Sequence, residues 1–193
     1  MIPMNKKCHW SLASYLIGDS SWRLRGFALK LGSIMPDILV HTYVVGHKYD
    51  ATAARVEENL TALQENGTWS LGDCFRLGYN LHFLEDYFTY PHNNHFEGGF
   101  IDHCLYEHRL SKAMSGYLRK NRSADCDAPN AGRSIRAVLH NHHAAYMKSA
   151  PSPENDAAYI VAAAQAVSQE LFTAFSRQSF KPRALAFMAR AGV

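Results

Sequence analysis

Two four-residue steps carry the chemistry that this sequence could perform: His82-x-x-x-Asp86 and His103-x-x-x-Glu107. On a helix, a step of four puts both side chains on one face. Imidazole nitrogen with carboxylate oxygen, and no thiolate, is a donor set suited to catalytic rather than structural zinc. A single pair of this kind reads more readily as a surface pair or a hydrogen bond. Two pairs on consecutive helical segments, with Pro91 and His92 between them, favour convergence on shared cations. Glu107 adds to this, because it shares a face with Leu110 and Met114. A carboxylate beside an apolar stripe is costly unless a cation answers it.

The chain holds eleven His in 193 residues, more than ordinary composition supplies, so spacing has to sort them. Asp37 closes the run Gly32-Ser33-Ile34-Met35-Pro36-Asp37, where a turn lets a short carboxylate reach across a bundle; His41 and His47 follow. Alone, Asp37 reads as a turn or cap residue, and His9 as a satisfied histidine. His41 stands as an alternative to His47, and His95 as one to His92. His95, His108, His140, His142 and His143 receive no part and are expected to be solvated or to support other groups. Cys8, Cys74, Cys104 and Cys126 form no CxxC pair, so a thiolate site is not expected, and Cys74 and Cys104 read as buried free thiols.

Helices must position these groups, since strand signals are sparse. The spacing predicts helices over His9 to Ile17, Trp22 to Ser33, Ala51 to Gln64, Ser70 to about Tyr90, Ile101 to Arg119, Ser134 to Lys148 and Asn155 to Arg177. The clearest is the fourth, with Cys74, Leu77, Leu81, Leu84 and Phe88 in one apolar stripe that His82 and Asp86 are expected to flank. Met35-Pro36, Asn66-Gly67, Pro91, Pro151 and Pro153 break the chain between helices. The fold class expected is all-α: a single-domain bundle of seven or eight helices spanning 1–193.

Composition narrows the partners. The net charge of +3 gives no single-sign field that would make nucleic acid a default partner. With 47 % apolar residues, no stretch approaches the length of a membrane span. Lys6 and Lys7 precede an apolar stretch that His9 and then Gly18-Asp19-Ser20 interrupt, with no small-residue cleavage site. That segment reads as a structural helix and the protein as cytoplasmic.

The order of these pieces resembles the bacterial zinc-dependent phospholipase C family, which shares its fold with the fungal single-strand nucleases. His82-Phe83-Leu84-Glu85-Asp86, then Pro91-His92, is similar to that family's HYxxD motif followed by a proline and a histidine. His103-Cys104-Leu105-Tyr106-Glu107 resembles its HxxYE motif, His47-Lys48-Tyr49-Asp50 its HxYD segment, and Gly32 to Asp37 the region of its metal-site Asp. The resemblance implies that Asp37, His47, His82 and Asp86 bind one zinc, that His92, His103 and Glu107 bind a second, and that Asp86 bridges to a third with His9. Secreted members use the amine of an N-terminal Trp at the third metal, whereas eight residues precede His9 here, so two or three ions are implied.

The implied activity is hydrolysis of a phosphodiester, with a phospholipid head group as substrate, Asp37 as both ligand and base, and transient contact with a membrane surface. A nuclease or small-molecule phosphodiesterase on the same fold is the first alternative. A metal-binding protein without turnover is the second.

Overall fold

Ser70 and Pro91 set the limits of the segment around which the molecule is built. The Ser70 hydroxyl accepts the Asp73 amide at 3.1 Å, and the Asp73 carboxylate accepts the Ser70 amide at 3.1 Å. This reciprocal cap satisfies two amides that the first helical turn leaves unpaired. At the other end, Pro91 has no amide with which to continue the helical ladder, and Thr89 is already extended. The helix therefore stops at Tyr87, three residues short of the sequence expectation, and a 3-10 turn spans Tyr90–His92.

The computed structural model describes residues 6–18, 23–39, 47–121 and 132–179, with side chains to residue 175. Among them run seven α-helices and no strand: α1 Lys6–Ile17, α2 Arg23–Ile34, α3 Tyr49–Asn66, α4 Leu71–Tyr87, α5 Phe100–Lys120, α6 Ile135–Tyr146 and α7 Pro153–Ser179. The all-α expectation holds. No helix among the described residues is long and apolar enough to cross a membrane. His41 and Cys126 lie outside the described residues.

α4 packs against α1, α2, α3 and α7, and α7 also backs α5 and α6. The expected stripe of α4, Cys74, Leu77, Leu81, Leu84 and Phe88, is buried. Enclosure goes further than a stripe: every residue from Asn80 to Thr89 is buried, His82, Glu85 and Asp86 included. His82 and Asp86 do not flank the core as the spacing suggests; they lie inside it. On α7, the Ile160, Ala164, Val167 and Leu171 stripe is buried, with Phe175 packed at its edge.

Helix α2 meets α4 backbone to backbone. A Cβ added at Gly32 would overlap the Phe75 carbonyl, and one at Gly78 would overlap the Leu29 carbonyl. The two glycines permit this approach, as any side chain there would push the helices apart. It delivers the C-terminal end of α2, and the turn that carries Asp37, against the buried half of α4. Within that turn the Ile38 amide donates to the Met35 carbonyl at 2.9 Å.

Candidate metal centre

Six segments bring His9, Asp37, His47, His82, Asp86, His92, His103 and Glu107 together. His9 comes from α1, Asp37 from the turn after α2, and His47 from the residue before the cap of α3. His82 and Asp86 come from α4, His92 from the 3-10 turn, and His103 and Glu107 from α5. Their donor atoms fall into three groups, each with all members within 4.8 Å of one another: His9, Asp37 and His82; His47, Asp86 and His92; His92, His103 and Glu107. The resemblance placed His9 with Asp86 and placed His47 and Asp86 with Asp37, whereas the geometry sets His9 beside Asp37 and His82.

The inner group is enclosed, with His9 and His82 both fully buried. His82 Nδ1 lies 2.9 Å from the Ser33 carbonyl oxygen, which can only accept, so Nδ1 carries the proton. Burial and the neighbouring His9 push His82 well below its ordinary value, so the ring is neutral and Nε2 presents a lone pair. That lone pair faces Asp37 Oδ1 at 3.6 Å and Asp86 Oδ2 at 3.5 Å, with no hydrogen bond made at Nε2. A buried acceptor that no donor among the described residues meets is costly, and a cation at Nε2 would answer it.

His9 is arranged in the same way. Its Nδ1 lies 2.9 Å from Glu85 Oε2, and its Nε2 makes no hydrogen bond and sits 3.9 Å from Asp37 Oδ2. Burial alone would push His9 down, but the Glu85 carboxylate, with Asp86 and Asp37 beyond it, lifts it to about 9. Burial raises Asp37 to about 6, with His9 drawing it down and Asp86 pushing it up.

Asp86 sits between the groups. One oxygen accepts from His47 Nδ1 at 2.8 Å; the other makes no hydrogen bond and lies 3.7 Å from His92 Nδ1. Burial opposes ionisation, but His92 and His47 around it hold the carboxyl well below the usual range. The outer group is more open. His103 Nε2 lies 2.7 Å and His92 Nε2 3.3 Å from the same oxygen of Glu107, and the His103 side chain is 33 % exposed. These two imidazoles hold Glu107 low against the effect of its burial.

One alternative ligand and the histidines given no part fall elsewhere. His95 is exposed, with its ring against Tyr90, and belongs to none of the three groups. His108 is exposed. His140 bonds Glu57 and the Tyr49 hydroxyl, while His143 stacks on the Tyr49 ring with centroids 3.6 Å apart. Of the thiols, Cys74 is buried and Cys104 only partly so.

Sequence reasoning missed Glu85, the buried carboxylate that orients His9. Its signal was present: four residues after Leu81 and three before Phe88, Glu85 belongs to the core face of α4. A carboxylate beyond a ligand histidine fixes which nitrogen is free and raises its basicity.

An all-helical bundle with imidazoles and carboxylates gathered at its centre is a scaffold for divalent cations that several chemistries share. Residues 8–152 match the family model described as zinc dependent phospholipase C. The chain belongs to the zinc-dependent phospholipase C family. No curated protein and no solved structure matches it significantly.

Proposed function

We propose that the chain is a phospholipase C-like phosphodiesterase, working as one domain in the cytoplasm, with two or three zinc ions held by His9, Asp37, His47, His82, Asp86, His92, His103 and Glu107. The observation that carries this reading is His82: a buried, neutral imidazole whose free lone pair faces two carboxylates. His92 belongs to two of the three groups, and a neutral imidazole offers a single lone pair, so it serves one ion. The inner and outer groups then hold one ion each, and a third depends on His47 and Asp86.

Zinc held there would polarise the phosphoryl oxygens and acidify a water molecule. The chain's own contribution is positioning and proton transfer. Asp37 lies beside His9 and His82, where a carboxylate oxygen not taken by a cation could accept a proton. Ser33 and Glu85 lock the two inner imidazoles with Nε2 turned toward Asp37. The buried wall of α4 keeps bulk water from that side.

A phospholipid is the substrate class that the family supplies. Exposed Phe100, Ile101 and Leu105 lie on the turns of α5 that carry His103, and exposed Ile38 follows Asp37. Apolar side chains beside the open group suit transient contact with a lipid surface. The test is zinc analysis of protein purified without added metal, with assays on phosphatidylcholine vesicles, a chromogenic phosphodiester and single-stranded DNA. Two or three zinc ions and cleavage of the vesicles are expected. Cleavage of DNA alone would assign a nuclease; fully loaded protein inert toward all three would leave a metal-binding protein.

A further inference from the structure

Asp156, in the first turn of α7, is fully buried and far along the chain from the cluster. Its carboxylate accepts three hydrogen bonds, all from neutral donors. Oδ2 takes the Tyr90 amide at 2.8 Å and the Tyr106 hydroxyl at 2.8 Å, and Oδ1 takes the Tyr146 hydroxyl at 2.9 Å. Burial raises it to about 6 despite these bonds, so the fold sustains it at a cost that an apolar residue would avoid.

What the three donors belong to is informative. Tyr90 opens the 3-10 turn that ends at His92. Tyr106 lies on α5 between His103 and Glu107, and Tyr146 ends α6. One carboxylate oxygen therefore clamps together the two segments that supply all three members of the outer group. The turn and α5 are otherwise separated by the loop from Asn93 to Gly99, whose Asn94, His95, Glu97, Gly98 and Gly99 are exposed.

We propose that Asp156, acting through Tyr106 and the Tyr90 amide, is the positioning residue of the outer group and sets the separation at which His92, His103 and Glu107 close on one cation. The inference rests on the reading of those three as cation ligands. Tyr146 provides the internal control, because it bonds the other oxygen and carries no member of the cluster. A plain structural pin would make Tyr106 and Tyr146 equivalent.

The experiment is a zinc competition titration of the full chain, with the cobalt(II) absorption spectrum as a second readout, on Tyr106→Phe, Tyr146→Phe and Asp156→Asn. Loss of a partner beyond the ligands typically weakens metal binding by 10- to 100-fold. Tyr106→Phe is expected to weaken one ion about tenfold and leave the others within about twofold, and Asp156→Asn to weaken the same ion further. Tyr146→Phe should lower the melting temperature while leaving every ion within about twofold. In a Glu107→Gln background, where the outer ion is already lost, Tyr106→Phe should have no further effect on zinc. Equal weakening by Tyr106→Phe and Tyr146→Phe, or weakening of all ions together, overturns the proposal. So does zinc binding that none of the three variants disturbs. A wild-type chain that binds no zinc removes the metal reading itself, and this inference with it.

Discussion

The inner and outer groups use the same donor types but are held by different means. His9, Asp37 and His82 are set by helices in direct contact, and their rings and carboxylates are shut away from solvent. His92, His103 and Glu107 come from a short turn and from a helix whose first residues are exposed, with His103 33 % exposed. Enclosure makes each inner charge expensive to leave unanswered, whereas in the outer group His103 can exchange its partner for water. The inner group is thus bound up with folding, and the outer group with access.

The largest expected effect tests that division directly. His82→Ala should abolish hydrolysis, by about 1,000-fold or more, and also destabilise the chain by about 3–5 kcal/mol, since a fully buried ring leaves a cavity and the Ser33 carbonyl loses its donor. His103→Ala should lower the rate by about 10- to 100-fold and shift the melting temperature little. Rate assays beside thermal melts separate the two; equal destabilisation by both variants would erase the distinction. Next comes Gly78→Ala, which forces a methyl against the Leu29 carbonyl. It should cost about 1–3 kcal/mol and weaken the ion beside Asp37 and His82 while sparing the one at Glu107, as read by zinc titration.

Two smaller effects follow from proton balance. In the metal-free chain His9, at about 9, holds its proton at neutral pH, and ligation through Nε2 requires the neutral ring. Zinc uptake between pH 6.5 and 9 should therefore release about one proton from the inner group. Calorimetry in buffers of different ionisation enthalpy measures it. Glu85→Gln should reduce that release, because the carboxylate that raises His9 is gone.

The smallest effect concerns His143, whose Nε2 lies 3.4 Å from Asn93 Oδ1 behind the His92 turn. Burial lowers it to about 4. Between pH 6.5 and 4 the unfolded chain takes up a proton that the folded chain resists, so stability falls as pH falls through that window. Solvent screening limits this to about 1 kcal/mol or less. His143→Phe, which keeps a ring against Tyr49, should flatten the dependence in melts across that range.

The helices were readable because their determinants are local. A repeat of three to four residues and Pro91 as a stop are both visible within a few positions. The pairs His82/Asp86 and His103/Glu107 were visible for the same reason. Which group His9 joins was not, because 76 residues separate it from Glu85 and only the packing of α1 on α4 brings them together. Asp156 was hidden likewise: nothing near it in sequence signals a partner 50 or 66 residues away. Glu85 was the exception, a readable core-face carboxylate obscured by the more familiar motif around it. The glycine contact had two visible glycines but no signal that they faced each other.

That contact has a mechanical consequence. A spacing made by side chains can drift as rotamers change, but one made by main chain resting on main chain has no soft torsion to relax. The register between the Asp37 turn and the His82 ring is thereby insulated from repacking elsewhere in the bundle. Substitutions throughout the remaining core can alter how firmly the protein holds together without retuning the distance between Asp37 and His82.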